Sequence, residues 1–399
     1  MRIAMMHPSL TWRGGAERQL LILARELQQA GHYIEIFTCA VSDDCFPDLA
    51  KNLIINRIQP PLIQTTPPTK RTFITRLAGK FRGYTTDLPA MVYLGKKIPR
   101  NFDVINNHNH PTQWAAFFAK KKLNIPIVWT CNEPPFWYSD PKQRKGLGNI
   151  NRPLYYKFDK KIIEHIDVIV ANSLADNRRI QKAYGRTSEV IYPGITAEIY
   201  NTSGKKVCSK YGLENSFVLL QVGNIAQDKH QSDSIIALHY LSKKHDNVKL
   251  ILVGRGSKDE LVALSRRLNV ESQVLFLQDC SDNELAEIYA ACDVFLFPAE
   301  ITWGLAVIEA MASAKPVVVS VRAGVSEIIQ NGVNGFLFDA PNAKNMAKVI
   351  ERLITEPDLQ HKIGHTACEY TKDKLSWKMY AKHMETVFEK SVDNFKKNH

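Results

Sequence analysis

The feature that most constrains this chain is the alternation of short apolar runs with longer amphipathic ones. The short runs predict buried strands, and the amphipathic stretches between them predict helices. Such alternation is typical of βαβ units, which build parallel sheets covered by helices. We therefore expect an α/β fold.

The alternation occurs in two successive series. The first predicts strands over Ile3–Met6, Ile34–Thr38, Val104–Asn107, Ile127–Thr130, Val168–Ala171 and Val190–Ile191, with helices such as Glu17–Ala30 and Pro111–Lys122. The second predicts strands over Phe217–Val222, Lys249–Val253, Val274–Leu277, Val294–Phe297 and Pro316–Ser320, with helices over His230–Lys244, Lys258–Leu268, Asp282–Ala291, Gly304–Ser313 and Ala343–Ile354. The turn Tyr192-Pro193-Gly194 lies between the series and marks a domain boundary.

Composition supports a globular chain with an uneven charge. With 45% hydrophobic and 23% charged residues, the sequence excludes a mostly disordered protein. Residues 1–192 hold 28 basic and 15 acidic side chains, whereas residues 193–399 hold 24 and 25. A one-sided positive field favours an anionic membrane surface or another polyanion, and charge kept for solubility is the alternative.

Much of the basic excess lies between residues 64 and 100, which carry eight basic residues and one acid. Phe73, Ile74, Leu77 and Phe81 recur there at helical spacing, which predicts a helix lying on an anionic bilayer. An ordinary amphipathic helix facing the core is the alternative. No nucleic-acid-binding module accompanies these charges, so nucleic acid is not an expected partner.

The seven scattered cysteines include no Cys-x-x-Cys pair, which favours reduced thiols and a cytoplasmic location. No secretory signal is expected at the N-terminus. No uncharged apolar stretch reaches the ~18 residues that span a bilayer. We therefore expect a cytoplasmic protein that associates, if at all, peripherally with the inner face of a membrane.

Two loops combine glycine with the start of a helix, an arrangement that suits anion binding. Gly14 and Gly15 lie between the first strand and the first helix. Gly223 and Asn224 end the first strand of the second series, and Lys229 follows at a position where it could pair with a diphosphate. A steric turn and a solvated lysine are the ordinary alternatives.

The most informative stretch runs from Pro298 to Ala312. A strand leads into a loop carrying Glu300, and Gly304-Leu305 then begin a helix whose N–H groups can face a phosphate. Glu309 lies further along this otherwise apolar helix, where a carboxylate needs a partner. Ligand hydroxyls or a structural salt bridge would each supply one.

Together these motifs resemble the retaining glycosyltransferases of family 4. The resemblance is carried by Gly-Gly-Ala-Glu-Arg (14–18), Ile-Tyr-Pro-Gly-Ile (191–195), Val-Gly-Asn…Lys (222–229), Leu-Val-Gly-Arg-Gly (252–256), the Glu300–Glu309 block and Gly-Val-Asn-Gly (332–335). It implies the GT-B fold, with two Rossmann-like domains facing across a cleft. Residues 1–192 would bind the acceptor and 193–375 the nucleotide-sugar donor, with a C-terminal helix over 376–399 packing back on the first domain.

The resemblance also implies roles for single residues. Lys229 would bind the diphosphate, Glu309 the ribose hydroxyls and the loop around Glu300 the sugar, while Asp279 and Cys280 would lie beside the base. The implied donor-binding set is Gly14, Gly15, Gly223, Asn224, Lys229, Asp279, Cys280, Glu300, Thr302, Trp303, Gly304, Leu305 and Glu309. The candidate catalytic residues are Glu300, Lys229, Asn132 and His108.

Three positions depart from the family pattern. The first glutamate is expected at 301, but Ile301 stands there and Glu300 precedes it. Asn224 stands where the family usually has an arginine. Asn132 stands where many members have an active-site histidine, and an amide can bond a sugar hydroxyl but cannot act as a base.

His108 and His110, at the end of the preceding strand, are nearby candidates for that histidine's role. Histidines that belong to the core or to a turn are the ordinary alternative.

The sequence therefore predicts a retaining hexosyltransferase that moves a hexose, with mannose favoured, from a GDP- or UDP-sugar to a glycan or lipid-linked acceptor. Mannose is favoured because the stretch from His7 to Arg18 most resembles mannosyltransferases of the dolichol pathway, which build lipid-linked oligosaccharides. No cofactor is expected, and without an Asp-x-Asp stretch no required metal. The alternatives are a nucleotide-sugar 2-epimerase of the same fold and a non-catalytic, membrane-associated subunit that binds sugar nucleotides.

Overall fold

A computed structural model describes residues 1–60, 87–132, 152–196, 202–300 and 303–398. The strands are β1 (Arg2–His7), β2 (Tyr33–Thr38), β3 (Ile54–Arg57), β4 (Val104–His108), β5 (Ile127–Cys131), β6 (Val168–Ala171), β7 (Glu189–Val190), β8 (Phe217–Val222), β9 (Val248–Val253), β10 (Val274–Leu277), β11 (Val294–Phe297), β12 (Val317–Ser320) and β13 (Phe336–Phe338). The helices are α1 (Gly15–Gln29), α2 (Pro47–Ala50), α3 (Leu88–Lys97), α4 (Thr112–Leu123), α5 (Arg152–Ile163), α6 (Leu174–Tyr184), α7 (Lys205–Tyr211), α8 (Gln231–Leu241), α9 (Asp259–Arg267), α10 (Asp282–Ala291), α11 (Leu305–Ala312), α12 (Ala343–Thr355), α13 (Pro357–Lys374) and α14 (Trp377–Asn398).

The chain divides into two compact units. Unit 1 consists of Met1–Tyr192 together with helix α14, and unit 2 consists of Pro193–Ser376. Each unit contains a parallel sheet with helices in its crossover connections, so both are α/β and Rossmann-like, as the sequence predicts.

The sheet of unit 1 has the strand order β3-β2-β1-β4-β5-β6-β7. The order reverses between β1 and β4, whose parallel register pairs Ile3 with Val104 and Met6 with Asn107. Residues of these strands alternate between two apolar clusters, one on each face of the sheet. The central strands are therefore buried on both sides, which explains their continuous apolar runs.

Helix α14 covers one face of this sheet. Trp377, Tyr380, Met384 and Phe388 recur at helical spacing and belong to the same apolar cluster as Leu20 of α1. A fully buried side chain of this size contributes roughly 1.5–3 kcal/mol. The last helix of the chain is therefore an integral part of the N-terminal unit.

The sheet of unit 2 has the order β10-β9-β8-β11-β12-β13, and its order reverses between β8 and β11. Leu219 of β8 pairs with Val294 of β11. One face is covered by an apolar cluster that includes Leu238 of α8 and Ile350 of α12. This reversal fixes where the loops after β8 and β11 meet.

Two edge strands, β3 and β13, were not predicted from the sequence, and most other predicted boundaries shift by one or two residues. Within the described residues, no helix combines the length and hydropathy needed to cross a bilayer. Phe73, Ile74, Leu77 and Phe81 of the predicted membrane-surface helix lie outside the described residues.

Candidate functional site

In unit 2 the predicted site residues gather at the reversal between β8 and β11. Gly223 follows β8, and Glu300 lies in the loop after β11. The backbone N–H of Glu300 donates to the carbonyl of Asp228 at 3.1 Å, which joins the two loops. Ligands of open parallel sheets bind beyond the carboxyl ends of the strands at such a reversal, so two separate sequence motifs form one candidate site.

The loop after β8 is braced by two glutamine side chains. Buried Gln221 donates to the carbonyl of Lys229 at 2.8 Å and accepts from the Ser234 hydroxyl at 2.7 Å. Gln231 donates to the carbonyl of Asn224 at 2.9 Å. These bonds satisfy loop carbonyls and hold the backbone on both sides of Lys229 in place.

Lys229 ends a short 3₁₀ helix, Gln227–Lys229. Its ammonium lies 3.3 Å from a carboxylate oxygen of Asp228, and 22% of its side chain is exposed. Because the lysine has a flexible four-carbon stem, the ammonium can turn from this neighbour to an incoming anion.

The start of helix α11 forms the opposite wall of the site. Gly304 has φ +85°, and a Cβ at this position would collide with the ring of Phe297. Glycine is therefore needed for the helix to begin at Leu305 so close to β11. The first backbone N–H groups of α11 lack intrahelical acceptors and suit a phosphate. Trp303 before them is 93% buried, and Thr302 lies outside the described residues.

Glu309 occupies the middle of α11 and is only 7% exposed. The hydroxyl of Tyr289 on α10 donates to its Oε2 at 2.8 Å. A phenol thus supplies one of the partners that this buried carboxylate requires.

Glu300 is paired on one side. Its Oε1 lies 2.8 Å from the guanidinium of Arg322 and 3.9 Å from Nε2 of His230, and 25% of the Glu300 side chain is exposed. Arg322 and His230 are not among the residues predicted from the sequence, although His230 directly follows Lys229.

The base-side candidates lie along the same edge of the sheet. Asp279 and Cys280 follow β10, and Gly254 follows β9. Asp279 is exposed and accepts from Arg255 at 2.5 Å. Burial raises the pKa of the half-buried Cys280 thiol. A Cβ at Gly254 would collide with the carbonyl of Gly223, so the two loops approach closely.

A cavity of about 1050 Å³ opens beside the loop after β8. Its lining includes Gln227, His230, Gln231, Ser257, Glu260 and Arg267. Ile225, Leu261 and Leu264 also line it, so the cavity is partly apolar, and Glu300 is not among its lining residues.

In unit 1, two histidines end the strands at the reversal. His7 ends β1, and its burial lowers its pKa to about 4. His108 ends β4, is fully buried, and bonds Asn106 at 2.7 Å, and burial holds its pKa well below the usual range. His110 bonds the Tyr155 hydroxyl at 2.9 Å. His108 is therefore a neutral core histidine, the ordinary alternative, and it presents no accessible base in this structure.

Asn132, after β5, lies in a chain of side-chain amides. Its Oδ1 accepts from Asn172 at 3.0 Å, and Asn172 accepts from Gln19 at 3.0 Å. Gln19 also donates to the Tyr380 hydroxyl of α14 at 2.7 Å. The Nδ2 of Asn132 is buried with no hydrogen-bond partner among the described residues. The network thus fixes the amide and leaves its Nδ2 without a partner among the described residues.

Gly14 and Gly15 open helix α1. Gly14 is its N-cap residue, and the carboxylate of Glu17 accepts from the Gly14 backbone, as in a capping box. A Cβ on Gly14 would collide with that carboxylate. That carboxylate is the end of a flexible side chain that can move aside, and Gly14 has φ −102°, so neither space nor backbone conformation requires glycine here.

Two family models match the chain in succession. The model for Glycosyltransferase Family 4 matches residues 13–199, and the model for Glycosyl transferases group 1 matches residues 208–369. They correspond closely to units 1 and 2.

Curated relatives and solved structures agree with these matches. A D-inositol 3-phosphate glycosyltransferase of Corynebacterium diphtheriae is 23% identical, with 97% of this chain and 94% of the relative aligned. The putative glycosyltransferase EpsD of Bacillus subtilis is 28% identical over 55% of this chain and 60% of the relative. The crystal structure of Anabaena HepE in complex with UDP and glucose has a TM-score of 0.77 at 21% identity, covering 98% of this chain and 100% of that one.

Both units have parallel Rossmann-like sheets, and each carries a matched glycosyltransferase domain. The chain is therefore a glycosyltransferase of the GT-B fold, with a Family 4 domain followed by a group 1 domain.

Proposed function

We propose that this protein is a retaining hexosyltransferase that takes a hexose from a nucleotide diphosphate sugar and passes it to a hydroxyl group of a glycan or lipid-linked acceptor. Mannose from GDP-mannose is the sugar that the N-terminal motif favours. Glucose from UDP-glucose is the alternative, since HepE structures contain UDP and UDP-glucose.

One observation carries the donor assignment. Lys229, the loop carrying Glu300 and the first turn of α11 lie around one strand reversal, joined by the bond from Glu300 N–H to the Asp228 carbonyl. An ammonium and unsatisfied helix N–H groups suit a diphosphate. Glu300 and Glu309 suit hydroxyl groups, because ionised carboxylates are acceptors only.

The same groups would drive the reaction. As the sugar–oxygen bond breaks, negative charge grows on the diphosphate, and preorganised donors stabilise that charge more in the transition state than in the ground state. Glu300 is paired with Arg322, and Glu309 is buried against Tyr289. Neither is placed as a nucleophile of the two-carboxylate kind. We therefore assign retention to attack by the acceptor hydroxyl from the face that the diphosphate leaves.

We also propose that the transferase is active without a metal ion. Lys229 and the amides of α11 supply positive charge where a divalent cation would otherwise bridge the phosphates. Full activity in EDTA is the expected result, and restoration of activity only by Mg²⁺ or Mn²⁺ would contradict it.

The acceptor would bind unit 1, where Asn132 presents a fixed Nδ2 donor. Hydroxyl-rich acceptors suit such a donor. Because several relatives are D-inositol 3-phosphate glycosyltransferases, inositol phosphate belongs in the acceptor panel beside glycans and lipid-linked sugars.

We further propose that unit 1 contacts an anionic bilayer from its cytoplasmic side. The basic excess lies in residues 1–192, and Lys96, Lys97 and Arg100 are exposed at the end of α3. Co-sedimentation with vesicles that contain phosphatidylserine should fall as the salt concentration rises, because salt screens the attraction. Equal binding to neutral vesicles would refute the electrostatic contact.

The test of the proposed function is transfer itself. The protein is incubated with UDP-glucose, GDP-mannose and their nucleotides, with and without each acceptor, and nucleotide diphosphate release and product are followed. Acceptor-dependent release supports transfer. Isomerisation of the sugar nucleotide without acceptor indicates the epimerase, and binding without turnover indicates the non-catalytic subunit.

A further inference from the structure

His230 has an unusual backbone conformation for its residue type. It lies between the 3₁₀ helix Gln227–Lys229 and helix α8, with φ +51° and ψ +39°. This left-handed conformation disfavours residues with a Cβ, and glycine adopts it without strain. Replacing His230 by glycine would therefore remove the ring without straining the backbone.

The ring of His230 lies between two carboxylates from different elements. Its Nδ1 is 3.5 Å from Oδ2 of Asp233 on α8, and its Nε2 is 3.9 Å from Oε1 of Glu300 in the loop after β11. Asp233 Oδ2 is buried and has no hydrogen-bond partner among the described residues. Burial raises the pKa of Asp233; the His230 ring opposes this shift, and the Glu300 charge adds to it. The Asp233 carboxylate therefore favours a nearby donor such as Nδ1–H.

The two contacts differ in kind. Asp233 is three residues further along the chain, so it can orient the ring. The separation from Nε2 to Glu300 Oε1 is too long for a hydrogen bond. When both ring nitrogens carry a hydrogen, a hydroxyl group whose oxygen lies about 2.8 Å from both atoms would bridge the gap, accepting from Nε2–H and donating its own hydrogen to Glu300.

Space and chemistry at this position suit a ligand. About a quarter of the His230 side chain and a quarter of the Glu300 side chain are exposed, so a ligand can reach both. Arg322 donates to the same Glu300 oxygen, Oε1, at 2.8 Å, so Glu300 is already fixed in position before a ligand arrives.

We propose that His230 is a specificity-determining residue of the donor site, whose Nε2 and the Glu300 carboxylate together hold one hydroxyl group of the transferred hexose. Asp233 orients the ring. This inference rests on the proposed function, since it places the sugar of the nucleotide sugar beside Glu300.

The test separates the sugar from the nucleotide. UDP, UDP-glucose, GDP and GDP-mannose are titrated into wild type and into His230→Gly, which fits the backbone conformation without strain. Asn269→Gly is the matched control, because Asn269 also has positive φ (56°) but precedes β10 at the other end of the strands. A His230→Asn variant tests whether a shorter polar side chain that tolerates this conformation restores part of the effect.

We expect His230→Gly to bind the nucleotide diphosphate as wild type does, within about twofold, and to lose about tenfold in affinity for the sugar nucleotide, or 1.4 kcal/mol. Analogues lacking single sugar hydroxyls should reveal one hydroxyl whose removal weakens wild type but not His230→Gly. If His230→Gly loses affinity equally for the nucleotide and the sugar nucleotide, or keeps the wild-type sugar preference, the role of His230 is overturned while the proposed function stands. If wild type binds none of the four ligands, the proposed function fails and this inference fails with it.

Discussion

Replacing Lys229 tests the electrostatic part of the donor site. In the structure 22% of its side chain is exposed, and its ammonium lies 3.3 Å from the Asp228 carboxylate. A charge-assisted bond from such a partly desolvated ammonium to a diphosphate contributes about 1.5–3 kcal/mol, and loss of one transition-state donor lowers kcat by about 10²–10³. We therefore expect Lys229→Ala to lose on the order of 10² in kcat/KM, with a smaller loss for Lys229→Arg, which keeps the charge.

The assay is the initial rate of nucleotide diphosphate release, together with thermal unfolding of each variant. The partly exposed pair with Asp228 contributes about 0–1 kcal/mol to stability, so the fold should survive. Lys244→Ala is the matched control, because Lys244 forms an exposed pair with Glu351 and follows the far end of α8. A loss of less than threefold in Lys229→Ala, or an equal loss in Lys244→Ala, would refute the reasoning.

Three further predictions concern residues that support the sites. Gly304→Ala should lower the free energy of unfolding by about 3 kcal/mol or more, because backbone strain and the collision of the new Cβ both destabilise the native state. Gly31→Ala is the control: Gly31 has φ +90° and open space around it, so this change should lower the free energy of unfolding by only about 1–2 kcal/mol. Equal losses of the two variants in urea denaturation would contradict this. Glu309→Gln keeps an oxygen that accepts from Tyr289 but loses the negative charge. KM for the donor should therefore rise about tenfold, with the melting temperature unchanged. An unchanged KM would show that Glu309 does not bind the donor. Burial lowers the pKa of His7 from 6.5 to about 4. As pH drops from 6.5 to about 4, His7 is protonated in the unfolded chain before it is protonated in the native protein, so the free energy of unfolding should fall by about 3 kcal/mol. A similar fall in His7→Gln would show that other groups cause it.

The fold could be predicted because the sequence patterns that indicate it, apolar runs and turn residues, are local. Buried parallel strands such as β4 and β11 read as apolar runs, and the turn at Pro193 separates the two series. The edge strands β3 and β13 escaped prediction for the opposite reason. Edge strands have one unpaired side, so they can be short or polar, and Ile-Ile-Asn-Arg and Phe-Leu-Phe give little periodicity.

The site was predictable only in part. Motifs placed Lys229 and Gly304 beside a ligand edge, since glycine, loop and helix start are adjacent in sequence. The pairing of Glu300 with Arg322, and the approach of His230, join residues far apart in the chain. Such contacts depend on the strand order, which periodicity does not determine. The one local signal for His230 was its position next to Lys229.

The most direct test of the central claim is donor binding in EDTA, measured by thermal shift with UDP, GDP, ADP and their sugars on wild type, Lys229→Ala and Glu309→Ala. A ligand present at 100 times its Kd should stabilise the native protein by about 2.7 kcal/mol. We expect one nucleotide series to stabilise wild type and both variants to lose this stabilisation. Absence of any shift in wild type, or shifts that both variants retain in full, would contradict a nucleotide-sugar site at the reversal between β8 and β11.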